Sequence, residues 1–101
     1  MPIMEISIVP IGTDATSLSE YVANAIKILK KNKSLKYQLT PMGTIVESDT
    51  IEELLDIAKK MHNAVFSNDI ARVVTTIKID DRKDKKLDMD NKVESVNQKI
   101  G

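Results

Sequence analysis

The 101-residue sequence contains no cysteine and no tryptophan, two tyrosines and one phenylalanine. Without cysteine there are no disulfides, no thiolate nucleophile and no thiolate metal site. With so few rings there is no platform on which unstacked bases could stack. No charge sign dominates either: Lys plus Arg and Asp plus Glu number 15 each. A balanced chain has no net field to recruit nucleic acid or an anionic membrane surface. The opening "MPIMEISIVPIG" lacks a basic leader followed by an apolar run. Nothing later approaches the ~20 apolar residues of a membrane span. The expectation is a cytoplasmic protein with no nucleic-acid or membrane partner. The length fits one domain, residues 1–101, with a thin core.

What the sequence does have is alternation. Residues 3–11, "IMEISIVPI", read as a strand with Met4, Ile6 and Ile8 on one side. Ser17 and Glu20 have capping-box spacing, and Leu18, Val22, Ala25, Ile26 and Leu29 form the apolar stripe of a helix with a basic end. Strand-like "KYQL" and "TIVE" flank a turn at Pro41-Met42-Gly43. Asp49 and Glu52 repeat the capping spacing ahead of a helical pattern of Ile51, Leu54, Leu55, Ala58, Met61, His62 and Val65. Residues 71–80, "ARVVTTIKID", give the longest strand signal, with Val73, Thr75, Ile77 and Ile79 inward. Asn91 and Glu94 have the spacing to cap a last short helix carrying Val93, Val96 and Ile100.

The order β-α-β-β-α-β with an extra C-terminal helix implies an α+β, ferredoxin-like sandwich, with two helices on one face of a four-stranded antiparallel sheet. Alternation then assigns the other face. It receives Glu5, Ser7 and Val9 from the first strand, Gln38, Thr40, Ile45 and Glu47 from the hairpin, and Arg72, Val74, Thr76 and Lys78 from the last. This face is neither a core nor a solvated surface. It faces water with charges paired across strands, or another subunit or a ligand covers it.

Several signals point to no chemistry. His62, the only histidine, has no serine or carboxylate placed beside it by spacing. Asp80, Asp81, Asp84, Asp88 and Asp90 are interrupted by lysines and contain no glycine, unlike a calcium loop. The methionines are scattered and read as core filling. "PIGTDAT" has one glycine and no basic residue, a poor phosphate loop. No enzyme, no cofactor and no metal are expected.

Three stretches together carry a resemblance: "EISIVPIGTDATSLSEYV", "YQLTPMGTIVES" and "ARVVTTIKIDDRKDK". The chain resembles, nearly end to end, the YkoF-like thiamine-binding family of small ferredoxin-like proteins. The resemblance implies a homo-oligomer, a dimer or a tetramer of paired sheets, that binds thiamine or its hydroxymethylpyrimidine part without transforming it. The residue chemistry is compatible. An aminopyrimidine edge presents an amino donor beside ring nitrogens, and a carboxylate next to hydroxyls matches it. Glu47, Thr44 and Thr40 supply those groups from one hairpin, Ser7 adds another, Glu5 suits a cationic thiazolium, and Met42 offers a soft apolar wall. The competing expectation is an oligomeric scaffold or regulator with no small-molecule ligand, whose sheet face makes only subunit contacts.

Overall fold

Alternation and helical periodicity both find their partners in the computed structural model, which describes residues 1–13, 19–67, 69–86 and 88–101. The elements are β1 (Ile3–Ile11), α1 (Ser19–Lys31), β2 (Lys36–Thr40), β3 (Gly43–Glu47), α2 (Ile51–Val65), β4 (Arg72–Asp80) and α3 (Met89–Ile100). The expected cap at Ser17 lies outside the described residues. The four strands form one antiparallel sheet in the order β2-β3-β1-β4. This is the ferredoxin-like α+β arrangement, with β1 central and β4 on an edge.

The register decides which side chains share a face. Met4 lies opposite Val46 and Ile79, and Ile6 opposite Thr44 and Ile77. These residues face α1 and α2. Met4, Ile6 and Val46 are buried there against Ala25 and Leu29 of α1 and Leu54, Ile57, Ala58, Met61 and Val65 of α2. The spacing of that α2 set places it on one stripe. Leu55 falls off the stripe and is exposed, contrary to its place in the sequence pattern, while Ile57 is buried. Ile77 and Ile79 face the helices too, but at the sheet edge they stay exposed. His62 bridges α2 to β4, with Nδ1 2.6 Å from the Thr75 hydroxyl and its ring edge-on to Phe66.

Both helix caps fall elsewhere than the capping-box spacing indicates. The N-cap of α2 is Thr50, whose hydroxyl accepts from the Glu53 N–H at 3.1 Å. Glu53 in turn accepts from the Ser48 hydroxyl. The N-cap of α3 is Asp88, which accepts from the Asn91 N–H at 2.7 Å. α3 therefore starts at Met89, which is buried. In each case several cap-competent residues stand together, and the residue that takes the role has extended backbone.

The last helix also corrects the expectation that only one sheet face is covered. The N-terminal turn of α3 seats on the opposite face, at the end of the sheet that carries Ile3, Ile45, Glu47 and Asp80. Contacts of Lys36 with Asp90 and of Lys92 with Asp80 hold it there. Beyond that turn Val93, Val96 and Ile100 are exposed. No helix among the described residues is long and apolar enough to cross a membrane.

Candidate functional site

The site follows from a mismatch of strand lengths. β1 pairs with β4 along its whole length, from Ile3↔Asp80 to Ile11↔Arg72. Its other neighbour, β3, reaches only from Ile3 to Ile6, because the hairpin turns back at Pro41-Met42. From Ser7 to Ile11, β1 has no strand on that side among the described residues.

The main-chain direction there can be read from two glycine- and proline-based observations. A methyl group added at Gly43 would sit 3.0 Å from the Ile6 carbonyl oxygen, so that carbonyl faces the hairpin. Residues two apart in a strand present their backbone groups to the same side, so the N–H and C=O of Ile8 point the same way. Pro10 has the same parity, and its missing N–H falls on the unpaired side. Proline is thereby accommodated in a strand that is otherwise fully paired with β4.

Into this gap opens a cavity of about 650 Å³, between α1, the free edge of β1 and the β2–β3 turn. Its walls are mainly apolar, with Val22 and Ile26 from α1, Ile6 and Ile8 from β1, Met61 from α2, and Leu39 and Met42 from the hairpin. The polar residues that line it include Ser7, Thr40 and Thr44, with Lys27 and Lys30 of α1. Thr44 is only 4% exposed as a residue, but among the described residues no buried side-chain nitrogen or oxygen lacks a partner, so its hydroxyl, which has none there, is open to the cavity. Thr40 is committed differently. Its hydroxyl accepts from the N–H groups of Gly43 (3.1 Å) and Met42 (3.3 Å) and donates to the Gly43 carbonyl at 2.8 Å. It fixes the turn, and Met42 at the tip is 84% exposed.

Of the six candidate residues, the structure brings Ser7, Thr40, Met42 and Thr44 to this cavity and places the other two elsewhere. Glu47 is about 10 Å from Thr44 along the strand and on the opposite face. It is 5% exposed and accepts a hydrogen bond from the Met89 N–H at 3.3 Å. Its partner is thus the N-terminus of α3. Glu5 lies across from Lys78 and Ile45, in a smaller cleft of about 210 Å³ beneath α3. The Lys36 ammonium nearby is held above its ordinary range, first by its hydrogen bond to Asp90, with the charges of Asp90, Glu47 and Asp88 adding to it. Among the described residues no group of three or more His, Cys, Asp or Glu is placed to hold a metal ion.

Sequence reasoning missed the Ile8 main chain and the two lysines. Pro10 inside a strand was a readable sign that one side of β1 is unpaired. Lys27 and Lys30, three residues apart on a helix, were readable as neighbours on one face, though not as neighbours of a cavity.

Relatives place this architecture in a known group. The UPF0045 protein YqgV of Bacillus subtilis is 43% identical over 103 residues, covering 99% of this chain and 98% of its own length. A UPF0045 protein of Methanothermobacter thermautotrophicus is 45% identical over 96 residues, covering 95% and 96%. The crystal structure of a Methanocaldococcus jannaschii protein superposes with a TM-score of 0.85 at 39% identity, over 96% of each chain. A Thermotoga maritima protein, provisionally assigned to thiamine biosynthesis or salvage, superposes at 0.76 and 25% identity, over 94% of this chain and 97% of its own. The profile of the family described as thiamine-binding protein matches residues 4–97. With the match running through β1, the hairpin and α3 alike, the chain belongs to the thiamine-binding protein family.

Proposed function

We propose that this protein binds thiamine, or its hydroxymethylpyrimidine part, without transforming it, in the cavity between α1 and the free edge of β1. The observation that carries this reading is the pairing of the Ile8 main-chain donor and acceptor, which have no strand partner on that side among the described residues, with the Thr44 hydroxyl open to the same cavity. An aminopyrimidine offers an amino donor next to a ring-nitrogen acceptor, the pattern that one residue's C=O and N–H complete. The cavity volume lies within the ~300–1,000 Å³ common for small-molecule sites, and its apolar walls suit the ring faces. Among the described residues no histidine or carboxylate lines it beside the hydroxyls, which favours binding over catalysis. In this reading Ser7, Thr40, Met42 and Thr44 serve the ligand, while Glu5 and Glu47 serve the seat of α3.

Calorimetric titration with thiamine and with free hydroxymethylpyrimidine tests the proposal. Saturable one-to-one binding of both supports it, and absence of heat and of any thermal stabilisation with both rejects it. A ligand at 100 times its dissociation constant adds about 2.7 kcal/mol of stability, well within reach of a melting experiment.

The same reading takes the working form to be a homo-oligomer. Val9 and Val74 are paired across β1 and β4 on the sheet face that α3 leaves bare, and both are exposed, as is Ile11. Val93, Val96 and Ile100 form a second exposed apolar stripe on α3. A second copy supplies each patch with the other in one two-fold arrangement.

A further inference from the structure

Thiamine poses an electrostatic problem for this cavity. Its thiazolium ring is a permanent cation, and two of the charged side chains on the cavity wall, Lys27 and Lys30, are cations as well. Both lysines are exposed, so they stand where the cavity opens to solvent. The ion pairs among the described residues engage Lys36, Lys60, Arg82, Lys83 and Lys92, and neither Lys27 nor Lys30 takes part in one. Lys30 lies in the last turn of α1, where a cation also stabilises the helix dipole. Lys27 is a turn earlier, where that explanation fades.

We infer that the mouth of this cavity is built for a phosphate group, so that the preferred ligand is a phosphate ester of the pyrimidine compound rather than the free alcohol. This rests on the pyrimidine reading above and goes beyond it by naming the charged form. A phosphate on the hydroxyethyl arm places negative charge beside two unpaired ammonium groups and also screens the thiazolium from them. Charge-assisted contacts of this kind are stronger than neutral ones, and Lys acts on phosphate as a point charge. The apolar depth of the cavity would hold the rings and the rim would read the charge.

The test is titration of the full chain with thiamine and with thiamine monophosphate, at low ionic strength and again with added salt. The ester is expected to bind about tenfold or more tightly than thiamine, with the gap narrowing as salt screens it. In Lys27→Gln/Lys30→Gln the gap closes from both sides: the ester weakens and thiamine tightens. Lys33→Gln, a nearby exposed lysine that does not line the cavity, keeps the gap and controls for general charge loss. Thiamine binding with no preference for the ester, or a preference that survives the double variant, overturns this inference and leaves the pyrimidine site standing. If neither compound binds, the pyrimidine reading fails and this inference fails with it.

Discussion

The Glu47 carboxylate accepts the backbone N–H of Met89, 3.3 Å away, across the face of the sheet that α1 and α2 leave bare. A carboxylate that is 5% exposed needs compensation, and a helix N-terminus provides it through an orphan N–H and the positive end of the dipole. The bond ties the C-terminal helix to a strand 42 positions earlier. It also uses the one carboxylate of the hairpin for architecture, so in the proposed binding mode recognition would fall to hydroxyls and main chain at the other end of β3.

Glu47→Gln keeps the shape and the hydrogen-bond acceptor and removes the charge. The apo melting temperature is expected to fall by several degrees, since a charge at a partly buried helix terminus contributes about 1 kcal/mol and 1 kcal/mol moves a domain of this size by about 4–8 °C. Thiamine affinity should hold. An unchanged melting temperature combined with a large loss of affinity would return Glu47 to the ligand and remove it from the helix.

Much of this fold was legible because its signals are local. Met4, Ile6 and Ile8 alternate, the α2 pattern has helical period, and Pro41 with Gly43 marks the turn. The parity of Glu47 was legible for the same reason: with Val46 inward it had to face away. Its partner was not legible, because that depends on where α3 lands, and a short amphipathic helix after a charged loop carries no address for either sheet face. The run Asp88 to Asn91 holds several competent caps, so even the start of α3 depended on tertiary seating of Met89. The grouping of Glu47 with Thr40 and Thr44 treated three residues of one hairpin as neighbours. A period of two puts Thr44 and Glu47 on opposite faces, and that arithmetic needed only one further step.

Gly43→Ala tests the close approach that shapes the turn. The added methyl would stand 3.0 Å from the Ile6 carbonyl oxygen, a backbone atom with little freedom to move. Overpacking of this type costs on the order of 1 kcal/mol or more, so the melting temperature should drop by about 4 °C or more. Because the shift would be taken up where the hairpin borders the cavity, thiamine affinity should fall with it. A variant that melts at or above the parent temperature would show that β3 can relax away from β1 freely.

Assembly has a direct readout in mass. Light scattering at micromolar concentration should give a multiple of the 11.3 kDa chain mass. Val96→Lys, on the exposed stripe of α3, should lower that mass while the circular dichroism spectrum stays that of a folded α+β chain. A stable interface removes about 800 Å² from each partner, and a lysine in its apolar core would have to be desolvated. A parent protein that runs as an 11.3 kDa monomer would leave the two exposed patches without the proposed partner.

Thr44 is the residue on which binding and stability should part most cleanly. Its hydroxyl opens to the cavity and has no protein partner among the described residues, so in the apo protein its removal should cost the fold little. Thr44→Val keeps the β-branched shape that suits β3 and removes only the hydroxyl. An accessible hydroxyl without a protein partner adds little to the fold, so the apo variant should melt close to the parent temperature. A ligand amino or ring-nitrogen group that had used the hydroxyl would then lose its partner. A hydrogen bond of that kind is worth about 0.5–1.5 kcal/mol, which predicts a loss of thiamine affinity of up to about tenfold. Calorimetry on parent and variant at the same salt measures it. Unchanged apo stability with weakened binding places the pyrimidine against Thr44. Equal affinity in both proteins would move the ligand away from this wall of the cavity, and a variant that melts lower would show that the hydroxyl serves the fold.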